Sequence, residues 1–116
     1  MADVIKPAQA LYMWRDVNLD LVLAGAPDLS SRQYAILMTI YLDLPPHTVR
    51  GLAEKLNVTK PVITRALDTM GKLGLVTRER DNLDKRNVII KRTVAGAQAV
   101  DHLAELIVAE FKELNR

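Results

Sequence analysis

The chain has 116 residues, of which 26% are charged and 49% hydrophobic, with no cysteine and a formal net charge of +2. That is the size of one domain with a modest core, in the composition of a folded rather than a disordered chain. The composition excludes a disulfide scaffold, a thiolate zinc site and thiol redox sensing; no apolar run reaches the roughly 20 residues that span a bilayer; and MADVIKPAQ, with Asp3 and Lys6, lacks the basic-then-apolar order of a secretory signal, so cytoplasmic residence is expected.

In chain order, Pro7 opens a helical stretch, a position where its missing N–H is no loss. Leu11, Trp14, Val17, Leu21 and Ala24 recur at three- and four-residue spacing, and Tyr12, Leu19, Val22 and Leu23 widen the stripe. Gly25 and Pro27 end it. Leu29-Ser30-Ser31 offers an N-cap for a second helix with Tyr34, Leu37, Met38, Tyr41 and Leu42 as its expected apolar face, closed by Pro45-Pro46. Thr48 is placed to cap a short third helix that turns Leu52, Ala53 and Leu56 inward.

Asn57-Val58 is the next turn, and Thr59 is the expected N-cap of a fourth helix with Pro61 in its first turn. Val62, Ile63, Ala66, Leu67, Met70 and Leu73 make its inward face, and Gly74 stands at the left-handed position that ends many helices. The runs 75–80 and 88–92 read as strands joined by the polar loop DNLDKRN. A last helix over 93–115 carries Val100, Leu103, Ile107, Phe111 and Leu114 on one stripe. The expected architecture is mainly α with a small β-hairpin. It is a single domain, 1–116, holding a winged helix-turn-helix lobe at 29–92 flanked by the helices 7–24 and 93–115.

Charge is segregated along this order. Residues 47–92 hold 11 Lys/Arg against 5 Asp/Glu, and the rest of the chain 5 against 9. A basic middle between acidic flanks suits a polyanion at the middle and another role for the flanks. On the fourth helix Lys60, Thr64, Arg65, Asp68 and Lys72 point outward. Its N-terminal half is the part that such a helix presents to base edges in the major groove. Arg65 has the fork for guanine, and Thr64 suits a base or a thymine methyl. Thr59 and the first-turn N–H groups suit a phosphate oxygen. A salt-bridged surface through Asp68 and Lys72, four apart, is the competing reading of the same face. Lys85 and Arg86 at the hairpin tip suit a minor groove. Asp81 and Asp84 are expected to bond local N–H groups in the turn or to brace an arginine such as Arg78 or Arg80.

These residues carry a family resemblance. LSSRQYAILMTI, GLAEKLNVTKPVITRALDTMGKLGLVTRERD, the wing DNLDKRN and TVAGAQAVD together resemble the MarR family of bacterial transcription regulators over roughly two thirds of the chain. Family members show Asp, a few residues, then Asp-Arg-Arg in the wing; here the pattern stands as Asp81, Asp84, Lys85, Arg86. The resemblance implies a homodimer, joined through N- and C-terminal helices, that binds pseudo-palindromic duplex DNA, usually to repress. The over-apolar stripes of the first and last helices point to a two-fold interface as well.

The candidate DNA-contact set is Thr48, Thr59, Lys60, Pro61, Thr64, Arg65, Asp68, Arg78, Lys85 and Arg86. No cofactor is implied, and the spacing of His47 and His102 does not suggest a metal site. Tyr12, Trp14, Tyr34 and Tyr41 are the residues that would line a pocket for a small-molecule effector, against a plainer role as core or interface aromatics. An enzyme has nothing to rest on, since no Gly-rich phosphate loop, nucleophile elbow or zinc motif is present. A protein-docking winged helix and a sequence-tolerant architectural DNA binder stay open as alternatives.

Overall fold

The computed structural model describes residues 5–114. Asp3, cited above for the signal reading, and position 115 of the expected last helix lie outside the described residues. The elements run α1 Pro7–Leu23, α2 Ser31–Leu42, β1 His47–Thr48, α3 Val49–Leu56, α4 Lys60–Lys72, β2 Val76–Arg80, β3 Val88–Arg92 and α5 Val94–Glu113. The chain divides into two compact units. One spans Leu29–Val100; the other comprises the described residues before Leu29 and from Asp101 onward.

In the first of these units, α2, α3 and α4 bury Ile36, Leu37, Ile40, Leu52, Ala53, Ile63, Ala66, Leu67 and Met70 with Leu75, Val76 and Ile90 of the sheet region. At the entry to α2, the Ser30 hydroxyl accepts from the Gln33 N–H at 3.1 Å, and the Gln33 side chain accepts from the Ser30 N–H at 2.7 Å. Two details differ from the sequence expectation. The buried face of α2 is Ile36, Leu37 and Ile40, while Leu42 is 73% exposed. The helix is apolar at so many positions that spacing alone admits two faces, and packing selects the one rotated toward Ile36 and Ile40. Leu73, counted as inward on α4, is the C-cap residue and is also exposed.

The sheet has three antiparallel strands in the order β1-β3-β2, so the hairpin gains a strand that the sequence did not announce. His47 and Thr48 pair with Ile90 and Ile89. Arg80↔Val88 closes the hairpin toward its loop, and Val76↔Arg92 lies at its base. Two residues after a Pro-Pro pair are too short to carry a strand period, and Thr48 also reads as a helix cap, which it is.

Where α2, the corner after α4 and the start of α5 meet, one hydroxyl joins all three. Tyr41 Oη donates to the Leu75 carbonyl at 2.6 Å and accepts from the Thr93 N–H at 3.0 Å. The Thr93 hydroxyl donates to the Gly74 carbonyl at 2.7 Å and accepts from the Gly96 N–H at 2.8 Å. Gly74 turns the corner with φ of 75°. Arg92 donates to the carbonyls of Ile40 and Asp43, at 2.8 and 2.9 Å, satisfying acceptors at the end of α2. Gly96 is buried here, and a Cβ on it would collide with the Tyr41 hydroxyl and the Leu75 carbonyl oxygen.

The second unit is built differently. Val17, 1% exposed, is its only fully buried hydrophobic among the described residues. Leu11, Tyr12, Trp14, Leu19, Val22 and Leu23 of α1, and Ile107, Val108 and Phe111 of α5, stand exposed. Glu110 of α5 has its carboxyl pushed up to about 7 by a hydrogen bond with Asp20 of α1, then by partial burial and the like charges of Asp20, Asp16 and Glu113.

Two outcomes follow from these contacts. Gly96→Ala should destabilise the chain by about 1–3 kcal/mol through overpacking. Tyr41→Phe should cost about 1–3 kcal/mol by stranding the Thr93 N–H and the Leu75 carbonyl. In urea titrations the two costs should be non-additive, because removing the hydroxyl relieves part of the clash at position 96; simple additivity would show that the two residues do not share a site. For Glu110, whose ordinary value is 4.5, the native chain keeps a proton that the unfolded chain releases between that value and about 7. Stability should therefore fall as pH rises through this window and level off above it. Glu110→Gln should flatten that decline in urea midpoints taken from about pH 5 to about pH 8.

Candidate nucleic-acid interface

Everything in the candidate set falls within the unit Leu29–Val100. The approach to it begins at Thr48, whose hydroxyl accepts from the Gly51 N–H at 3.0 Å and caps α3 as expected. Asn57 ends α3 in the left-handed conformation, with φ of 55°, a state that asparagine tolerates. That turn delivers the chain to Thr59, which occupies the N-cap position of α4 with extended backbone but makes no side-chain cap bond. The expected capping role is therefore corrected. Pro61 removes one N–H from the first turn, and the backbone carbonyl of Thr59 takes those of Val62 and Ile63. The Thr59 hydroxyl is left without a partner among the described residues.

With Ile63, Ala66, Leu67 and Met70 buried, Lys60, Thr64, Arg65, Asp68 and Lys72 are exposed as expected. The side chains of Lys60, Thr64, Arg65 and Lys72 carry no partner among the described residues. Asp68 is different. It pairs with Arg78 of β2 at 2.7 Å, so the Asp68–Lys72 bridge of the competing reading is not the one made. The pair ties the outer face of α4 to the wing, and both members are held rather than free.

The wing loop is a knuckle closed by its own polar groups. The Asp81 N–H donates to the Asn87 carbonyl at 3.1 Å, and the Asn87 N–H to the Asp84 carbonyl at 2.9 Å. Asp81 Oδ1 accepts from the Leu83 N–H, and Asp84 Oδ1 from the Arg86 N–H. Arg80 Nη1 reaches the Lys85 carbonyl at 2.7 Å. Of the two roles expected for the aspartates, turn-shaping is the one found for Asp81. Asp84 does both, but the arginine it braces is Arg86, through Nε to Oδ1 at 3.1 Å and Nη2 to Oδ2 at 3.2 Å. The Arg86 side chain and N–H hold the Asp84 carboxyl below its usual range. Lys85 projects with its ammonium unpaired among the described residues.

One cation was missed by the sequence reading. Arg50, exposed in the first turn of α3, is close enough to Asp84 to help lower its pKa, because the β1–β3 pairing carries the start of α3 to the wing. The only sequence signal was the Thr48 cap, which puts residue 50 in an exposed first turn; the neighbourhood with residue 84 depends on a two-residue strand. Other cations of the basic segment are spent on structure: Arg92 on α2, Lys55 on Asp43 at 3.4 Å and Lys91 on Glu79 at 2.8 Å. Tyr41, a candidate for an effector pocket, has its hydroxyl committed to Leu75 and Thr93.

A profile of the MarR family matches residues 29–88. The repressor YetL of Bacillus subtilis is 37% identical over 70 residues, which are 59% of this chain and 41% of that protein. The regulator SarZ of Staphylococcus aureus is 32% identical over 88 residues, 76% of this chain and 59% of that protein. The chain thus spans between about two fifths and three fifths of the length of these relatives. Among solved structures, reduced AbfR bound to DNA is 26% identical with a TM-score of 0.67, covering 88% of this chain and 70% of that one. With the helix-turn-helix, the wing and its Asp-x-x-Asp-Lys-Arg loop in place, the chain belongs to the MarR family.

Proposed function

We propose that the chain is a sequence-specific duplex-DNA-binding transcription regulator, a repressor that acts as a homodimer on a pseudo-palindromic site in the cytoplasm, associated with the nucleoid. The observation that carries this reading is the exposed N-terminal half of α4, where the side chains of Lys60, Thr64 and Arg65, like the hydroxyl of Thr59, have no partner among the described residues. The Lys60 N–H, the first-turn amide that the Thr59 carbonyl does not take, adds a phosphate donor. Lys85, Arg86 and Arg50 extend the cationic line to the wing. Arg65 and Thr64 read base edges in the major groove, and the wing supplies minor-groove affinity. Asp68 and Arg78 serve as the brace between the two reading elements.

The homodimer is supported by the exposed apolar side chains of α1 and α5, which form more apolar surface than a monomer commonly leaves in water. A two-fold homodimer has two recognition helices to offer to half-sites about 34 Å apart, one turn of the duplex. Binding, with no chemical step, is the whole of the proposed role. No described helix is long and apolar enough to cross a membrane.

Selection of bound fragments from random duplex DNA, followed by salt titration, tests this reading. Preference of roughly 10³ or more over random sequence, with affinity falling steeply as salt rises, is expected; equal weak binding to every duplex would replace the regulator with an architectural binder. Arg65→Ala should cost about 1–3 kcal/mol on the selected site and relax preference at one position. A uniform loss on all sequences would make Arg65 a phosphate contact instead. Lys85→Ala combined with Arg86→Ala should weaken binding and flatten the salt slope; an unaltered slope would remove the wing from the interface.

A further inference from the structure

Leu83 is 98% exposed, more than any other large hydrophobic among the described residues. A lone exposed leucine is ordinary on a protein surface. This one sits at the tip of a loop whose other residues are all polar, Asp-Asn-Leu-Asp-Lys-Arg-Asn. It has no part in holding that loop through its side chain. The knuckle is held by Asp81, Asp84, Asn87 and Arg80, and Leu83 contributes only its N–H, which donates to Asp81 Oδ1 at 2.9 Å. The side chain is therefore presented on a fixed backbone, idle in the free protein, two residues from Lys85 and three from Arg86.

On the reading of the wing given above, and resting on it, we propose that Leu83 is an apolar minor-groove contact that sets sequence preference by favouring an easily opened pyrimidine–purine step beneath the wing. A minor groove is walled by sugar C–H groups, so a leucine entering it leaves water for an apolar slot. Leucine is among the side chains that wedge base steps from this side. Pyrimidine–purine steps unstack at the least cost, so the preference arises from deformability, with no hydrogen bond to a base. The surrounding charge argues for DNA over an apolar protein partner. Lys85 and Arg86 follow it in the same loop, and Asp84 is already paired with Arg86.

The test uses the full chain and a duplex selected by the wild-type protein, with Leu83→Ser and Leu83→Met. Thermal unfolding should be unchanged in both, since the side chain is almost wholly exposed. Leu83→Ser should weaken binding about tenfold. Its salt slope should match that of the wild type, because no charge is altered. The penalty should shrink when the step under the wing is replaced by a stiff one, and Leu83→Met should restore most of the affinity. Wild-type binding with Leu83→Ser equal to it in affinity and step preference would overturn the leucine proposal and leave the regulator reading standing. A wild-type chain that binds no duplex would end both.

Discussion

A single phenol oxygen fixes how the wing leaves the helix it flanks. The core of the lobe is a layer of Ile, Leu, Ala and Met side chains, and apolar burial is non-directional. Tyr41 Oη supplies the direction: it holds Leu75, the residue that opens the path into β2, and Thr93, the residue that ends the path out of β3. Both strands of the hairpin are thus anchored at their base to the same point on α2. The arrangement is possible because residue 96 has no side chain. Glycine is used there for close approach rather than for backbone freedom.

Above that base, charge is sorted by duty. A count along the sequence makes residues 47–92 strongly basic, but several of those cations cap carbonyls or pair within the lobe. The ones left over, Arg50, Lys60, Arg65, Lys72 and Lys85, lie on α3, α4 and the wing loop. The acidic residues of the wing are consistent with anion binding once their partners are seen. Asp81 shapes the turn, and Asp84 holds Arg86 by two side-chain bonds on the surface of the loop.

The sequence was most legible where local chemistry is sufficient. Ser30, Thr48, Asn57 and Gly74 mark element ends by their own side-chain or backbone preferences, and the structure uses each at the expected place. The inward face of α4 was readable because its polar residues leave one choice. α2 was not, because Ile36 and Ile40 compete with Tyr34 and Leu42 in a helix with few polar positions; only the packed neighbours decide. β1, the Asp68–Arg78 pair and the approach of Arg50 to the wing were hidden for a shared reason. Each depends on a contact across the lobe between residues that no local period links. Thr59 shows the reverse failure: a residue type well suited to capping holds the position without making the bond.

The bond between Asp68 and Arg78 has a consequence for how such a chain diverges. Without Arg78, a bare carboxylate would sit on the outer face of α4; without Asp68, the arginine would swing free of that helix. Either loss alone harms the surface, whereas exchange of both for a neutral, packed pair would keep the brace. The two positions should thus drift together among descendants of this sequence, leaving a record of the tie between α4 and the wing that outlasts the particular residues now making it.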